Sequence, residues 1–210
     1  MRKMMVVVPF VLVLAMMAGC SKPPQADIDA AKAAVEGARA AEASEYAPDS
    51  LKSAEDAQAQ LETELKAQEE KFALFRSYKK ATELAGTAKG AGEKARTDAA
   101  AAKEQAKSEA TTLIAEAKAA VEEAKALLEK APKGKGTQAD LEMYKSDLTG
   151  AETSVSEADA AITAEKYNEA KAKANAAKST AGSTKSAIEA AMEAKKMGAK
   201  TASKPAKKKK

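Results

Sequence analysis

From Leu51 the chain places Leu51, Ala54, Gln58, Leu61, Leu65, Gln68, Phe72 and Phe75 at steps of 3,4,3,4,3,4,3, the a/d spacing of successive heptads. A chain so patterned hides its apolar side chains by laying helix against helix. The seam then shifts by a residue and runs on through Tyr78, Ala81, Ala85, Ala88, Gly92, Ala95, Ala99, Ala102 and Ala106. It continues through Ala110, Leu113, Ala117, Val121, Ala124, Leu128 and Ala131, and Pro132, Gly134 and Gly136 stop it. A second seam follows: Leu141, Tyr144, Leu148, Ala151, Val155, Ala158 and Ile162. Its phase breaks near Glu165 and resumes with Tyr167, Ala170, Ala174, Ala177, Ala181, Thr184, Ile188 and Ala191. Ahead of both, residues 26–43 read as a shorter helix carrying Ile28, Ala31, Val35 and Ala38. Its turn is Glu45-Tyr46-Ala47-Pro48-Asp49, with Pro48 preset for the first position of the next helix.

The expected fold is all-α: a long antiparallel helical hairpin or coiled coil. A helical region over 26–131 is joined by the Pro/Gly loop 132–137 to a second over 138–197, with the short N-terminal helix folded back. Composition agrees, since 54 of the 210 residues are Ala, while three Phe, four Tyr and no Trp leave little for a sheet or a thick core. Alanine lets helices approach closely but buries little area per residue. Gly86, Gly90 and Gly92 each cost a helix about 1 kcal/mol, and either admit a partner backbone or mark a flexible joint. Tyr78-x-x-Ala81-x-x-x-Ala85-x-x-Ala88 is echoed by Tyr167-x-x-Ala170-x-x-x-Ala174-x-x-Ala177. The phase slips before the two tyrosines read either as turns in a duplicated bundle of shorter helices or as chance in an Ala-rich chain. Phe72, Phe75 and Tyr78, the one aromatic cluster, read as bundle core, with a partner-binding patch as the alternative.

Function classes narrow quickly. The chain has no His and one Cys, which removes the commonest acid–base catalyst, a zinc cluster and an internal disulfide. Gly86-x-x-x-Gly90 followed by Lys94 fails the phosphate-loop pattern. Adjacent acids such as Glu69-Glu70 and Glu122-Glu123 splay around a helix rather than converge. No catalytic residue, metal site, cofactor or enzymatic activity is expected.

The N-terminus reads as an address. Met1-Arg2-Lys3 precedes an apolar run of 14 residues, Met4 to Met17. That is short of the ~20 a bilayer span needs and right for a signal-peptide core. Met17-Ala18-Gly19-Cys20 resembles the lipobox of bacterial lipoproteins, with Met17 where Leu is usual. The resemblance implies removal of 1–19, acylation of Cys20 and a tether over 20–25. Ser21, where Asp would favour inner-membrane retention, implies the outer membrane, periplasmic face. An ordinary secretory signal is the alternative.

Eight lysines lie in the last sixteen residues, with no acid among them. Setting these and Arg2 and Lys3 aside leaves 25 basic against 31 acidic side chains, a mildly acidic body with a cationic end. Residues 198–210 are expected to be a disordered tail. Lys207, Lys208, Lys209 and Lys210 are its candidate contacts with peptidoglycan, anionic lipid or an acidic envelope protein. Nucleic acid is not an expected partner behind a secretion signal, and self-association stays open.

Ala38/Ala41, Tyr46-Ala47-Pro48 with Leu51 and Ala54, and Tyr78/Ala81/Ala85/Ala88 resemble an uncharacterised domain family of alanine-rich bacterial envelope lipoproteins, often found beside OmpA-like domains. The resemblance spans Ala33 to about Ala100 and implies location and shape, without an activity. A looser likeness is to Braun-type lipoproteins, whose terminal lysine is joined to peptidoglycan; Lys210 holds the matching place. The expected role is a non-enzymatic, lipid-anchored structural or interaction protein of the periplasm. The alternative is a stress-protective or chaperone-like Ala/Lys/Glu-rich protein.

Overall fold

A computed structural model describes residues 22–131 and 138–202. The leader with Cys20, the 132–137 loop and the terminal lysines Lys207 to Lys210 lie outside the described residues. The described chain is all-α: six helices, with no strand among these residues. They are α1 (Gln25–Ala40), α2 (Ala43–Tyr46), α3 (Pro48–Glu69), α4 (Lys79–Lys130), α5 (Gln138–Thr163) and α6 (Tyr167–Ala202). Both phase slips are turns, so the expected long segments are packed as shorter helices. At the other end α6 runs on to Ala202, and residues 198–202 are helical where the charge pattern predicted tail. Gly198 weakens the helix there by only about 1 kcal/mol, and the first proline in the segment is Pro205.

The described residues divide into two compact units, with the boundary between Lys103 and Glu104. In the first, α1 starts directly after Pro23-Pro24, and the Gln25 N–H donates to the Pro23 carbonyl at 2.9 Å. Asp27 in its first turn and Arg39 in its last complement the helix dipole. Glu42, in the left-handed region at φ 60°, ends it. Pro48 opens α3 at N1, as the turn reading required. Ala31 packs with Ala57 and Leu61 of α3 and with Ala81, Ala85 and Ala88 of α4. Seven residues on, Ala38 packs with Leu51 and with Ala95 and Ala99. Along α1, then, α3 numbers fall and α4 numbers rise: up, down, up.

The second unit repeats that course. Lys125 pairs with Glu152 and Lys118 with Asp159, so α5 runs antiparallel to the α4 segment beside it. Lys171–Glu109, Lys178–Glu116 and Lys185–Glu123 advance by one heptad on both helices at a constant separation of 62, so α6 runs parallel to that segment. Leu148, Ala151, Val155 and Ala158 of α5 share one core with Ala117, Val121, Ala170 and Ala174.

The likeness of the halves goes beyond the tyrosine echo. Ile28, Ala31, Val35 and Ala38, all buried on α1, match Ile114, Ala117, Val121 and Ala124, all buried on α4. They lie in two related stretches, IDAAKAAVEGARA and IAEAKAAVEEAKA. Leu51-x-x-Ala54-Glu55 on α3 matches Leu148-x-x-Ala151-Glu152 on α5. Each unit is therefore one version of the same three-helix pattern, with its buried tyrosine, Tyr78 or Tyr167, at the start of the third helix.

Candidate functional site

The stretch between α3 and α4 has the side chains least explained by packing. Helix α3 stops without Gly or Pro. Gln68, nearly buried at 5 % exposure, donates to Glu64 at 2.6 Å and accepts from the Ser77 N–H at 3.0 Å. The Arg76 guanidinium donates to the carbonyls of Lys71 at 3.0 Å and Glu69 at 2.8 Å. A cation thus satisfies carbonyls left orphaned at the negative end of the dipole. Between these clamps Phe72 leaves the helical region at ψ 139°, and Ala73–Phe75 forms one 3-10 turn. Glu64 is held below the usual carboxylate range, first by the Gln68 hydrogen bond and then by Lys80 at 3.1 Å.

This held backbone points its apolar side chains outward. Phe72 is 70 % exposed, Leu74 58 % and Phe75 76 %, with the two rings tilted at 51° and their centroids 6.4 Å apart. The reading of Phe72 and Phe75 as bundle core is therefore overturned, while Tyr78 is core at 5 % exposure. The reason is the turn itself: spacing predicts a seam only while the helix continues, and α3 ends at Glu69. In the second unit the corresponding turn is residues 164–166, closed by Lys166 N–H to Ala161 and Glu165 N–H to Ile162. Those two bonds form a Schellman cap with Glu165 at φ 58°, and no aromatic loop is inserted there.

The Tyr46-Ala47-Pro48 signature forms the α1–α3 turn. Ala47 is pushed out of the helical region ahead of proline, at φ −145°. Tyr46 and Ala47 pack on the Ala38, Leu51 and Ala95 cluster. It is a folding element at the opposite end of the unit from Phe72.

Sequence spacing missed a pair of matching charge forks. Arg39 bridges Glu36 and Glu55, both at 2.8 Å, and Lys125 bridges Glu122 and Glu152. Each cation is pushed up, first by its hydrogen bond to Glu55 or Glu152. The Glu-x-x-Arg and Glu-x-x-Lys steps within the two related stretches were the available signal. Among the described residues no cluster of His, Cys, Asp or Glu could hold a metal ion, and no helix is long and apolar enough to cross a membrane. No family model, curated protein or solved structure matches the chain.

Proposed function

We propose that the chain is a non-enzymatic bacterial envelope lipoprotein, held at the periplasmic face of the outer membrane by an acylated Cys20. In this reading it is one of the alanine-rich envelope lipoproteins with the Tyr-Ala-Pro turn, and it presents helical bundles and a cationic tail to the cell wall. The observation that carries the reading is the place of the one cysteine. Cys20 closes Met17-Ala18-Gly19 at the end of a leader-length apolar run, a few residues ahead of the Pro23-Pro24 step where α1 begins. Cleavage before Cys20 leaves every described helix intact and the bundle on a short tether. Two or three acyl chains, at about 0.8 kcal/mol per buried CH₂, hold such a protein to a leaflet almost permanently. The test is the mass of the mature N-terminus, with and without a globomycin-type block of lipoprotein processing. The expected product starts at an acylated Cys20, and its unprocessed precursor accumulates under the block. An unacylated mature chain overturns the reading.

A further inference from the structure

We propose that the 71–76 turn is a second membrane contact. Phe72, Leu74 and Phe75 enter the interface of the same phospholipid leaflet that holds the Cys20 acyl chains, so that the first unit stands on lipid at two points. The proposal rests on the lipid-anchor reading. Topology supplies the first argument. Helix α3 descends along α1 from Leu51 beside Ala38 to Leu61 beside Ala31, so its end at Glu69 lies at the end of the unit where α1 begins. From Pro24 the chain has only four residues to Cys20, about 14 Å at full extension. The lipid anchor and the aromatic turn thus share one end of the bundle.

Chemistry supplies the second. Three large apolar side chains are more than half exposed on a turn whose backbone is clamped by Gln68 and Arg76. Residues 71–80 carry Lys71, Arg76, Lys79 and Lys80 and no acid, although Glu69 and Glu70 stand just before them on α3, Arg76 is held by the Glu69 and Lys71 carbonyls, and Lys80 pairs with Glu64. Aromatic side chains beside Lys71 and Lys79 suit an acyl–headgroup boundary with anionic lipid.

The experiment uses the full acylated protein reconstituted in vesicles of phosphatidylethanolamine and phosphatidylglycerol. Single cysteines placed by Phe72→Cys and by Ser44→Cys, the latter at the far end of the unit, carry a fluorophore read against spin-labelled lipid. Quenching at position 72 and little at 44 supports the proposal. Equal quenching at both, on protein whose N-terminal mass shows acylation, overturns it and leaves the anchor standing. An unmodified Cys20 overturns the anchor reading and this proposal with it. A second readout avoids the label: on vesicles, trypsin should cut after Lys71 and Arg76 on the order of tenfold faster in the Phe72→Ser/Phe75→Ser variant than in the parent. Equal rates on vesicles overturn the proposal.

Discussion

Ala34 of α1 lies so close to Gly92 of α4 that a Cβ added at Gly92 would stand 2.7 Å from the Ala34 carbonyl carbon. The neighbouring Val35 amide nitrogen would be 2.8 Å away, so the obstacle is backbone with no rotamer to yield. Gly86 and Gly90 have nothing within 4 Å of such a Cβ. The two readings of the glycine stretch are thereby separated for Gly92, which is a close-approach residue. Gly92→Ala should lose about 1–3 kcal/mol through overpacking, against a propensity gain of about 1. Gly86→Ala and Gly90→Ala should gain up to about 1 kcal/mol. Urea melts of the three variants check the sign at each position.

Leu61 and Leu148 are fully buried, at 0 % and 1 % exposure, whereas Phe72 and Phe75 face out. Leu61→Ala or Leu148→Ala should cost about 2–4 kcal/mol. Phe72→Ser and Phe75→Ser should stay within about 0.5 kcal/mol of the parent. Thermal denaturation followed by circular dichroism distinguishes them, and the same melts address the stress-protective alternative, which expects mostly coil in dilute buffer.

The ladder of Lys171, Lys178 and Lys185 against Glu109, Glu116 and Glu123 makes a pH prediction. Hydrogen bonds from Lys171 and Lys185 hold Glu109 and Glu123 below the ordinary value of 4.5. Their folded-state affinity for protons is lower than in the unfolded chain. The stabilisation is therefore complete above about pH 5 and is lost as pH falls through the lowered values. Thermal midpoints should drop over that acid range, and high salt should shrink the drop by screening these half-exposed pairs. Glu116→Lys should lower the midpoint slightly, and adding Lys178→Glu should restore it.

Glu165 adopts φ 58° in the cap between α5 and α6, a region costly for a residue with a Cβ. Glu165→Gly should raise stability by about 1 kcal/mol, or roughly 2–4 °C in Tm. A calorimetric scan of the variant is the check.

The tail has its own outcome. Deleting residues 195–210 removes eight lysines and should weaken co-sedimentation with purified peptidoglycan, with a smaller difference at high salt. Unchanged sedimentation would remove the wall contact assigned to Lys207 to Lys210.

How much of this was legible beforehand differs from element to element. Heptad steps identified Leu61, Tyr78, Ala85, Leu148, Ala174 and Ile188 as buried positions because each sits on one face of a helix, a local geometric fact. Pro48 marked the start of α3 for an equally local reason, its fixed φ. Composition argued against a sheet before any residue was placed. The phase slip before Tyr78 left a turn and chance both open, and tertiary structure decided that α3 stops at Glu69, because the stop is made by Gln68 reaching Ser77 and Arg76 reaching back to Glu69, contacts the heptad spacing does not encode. Phe72 and Phe75 were turned outward by that stop. Whether a glycine touched anything also depended on the partner: Gly92 met the Ala34 backbone, while Gly86 and Gly90 met none. The one-dimensional pattern determines which face of a helix is apolar, and only folding back determines what that face meets.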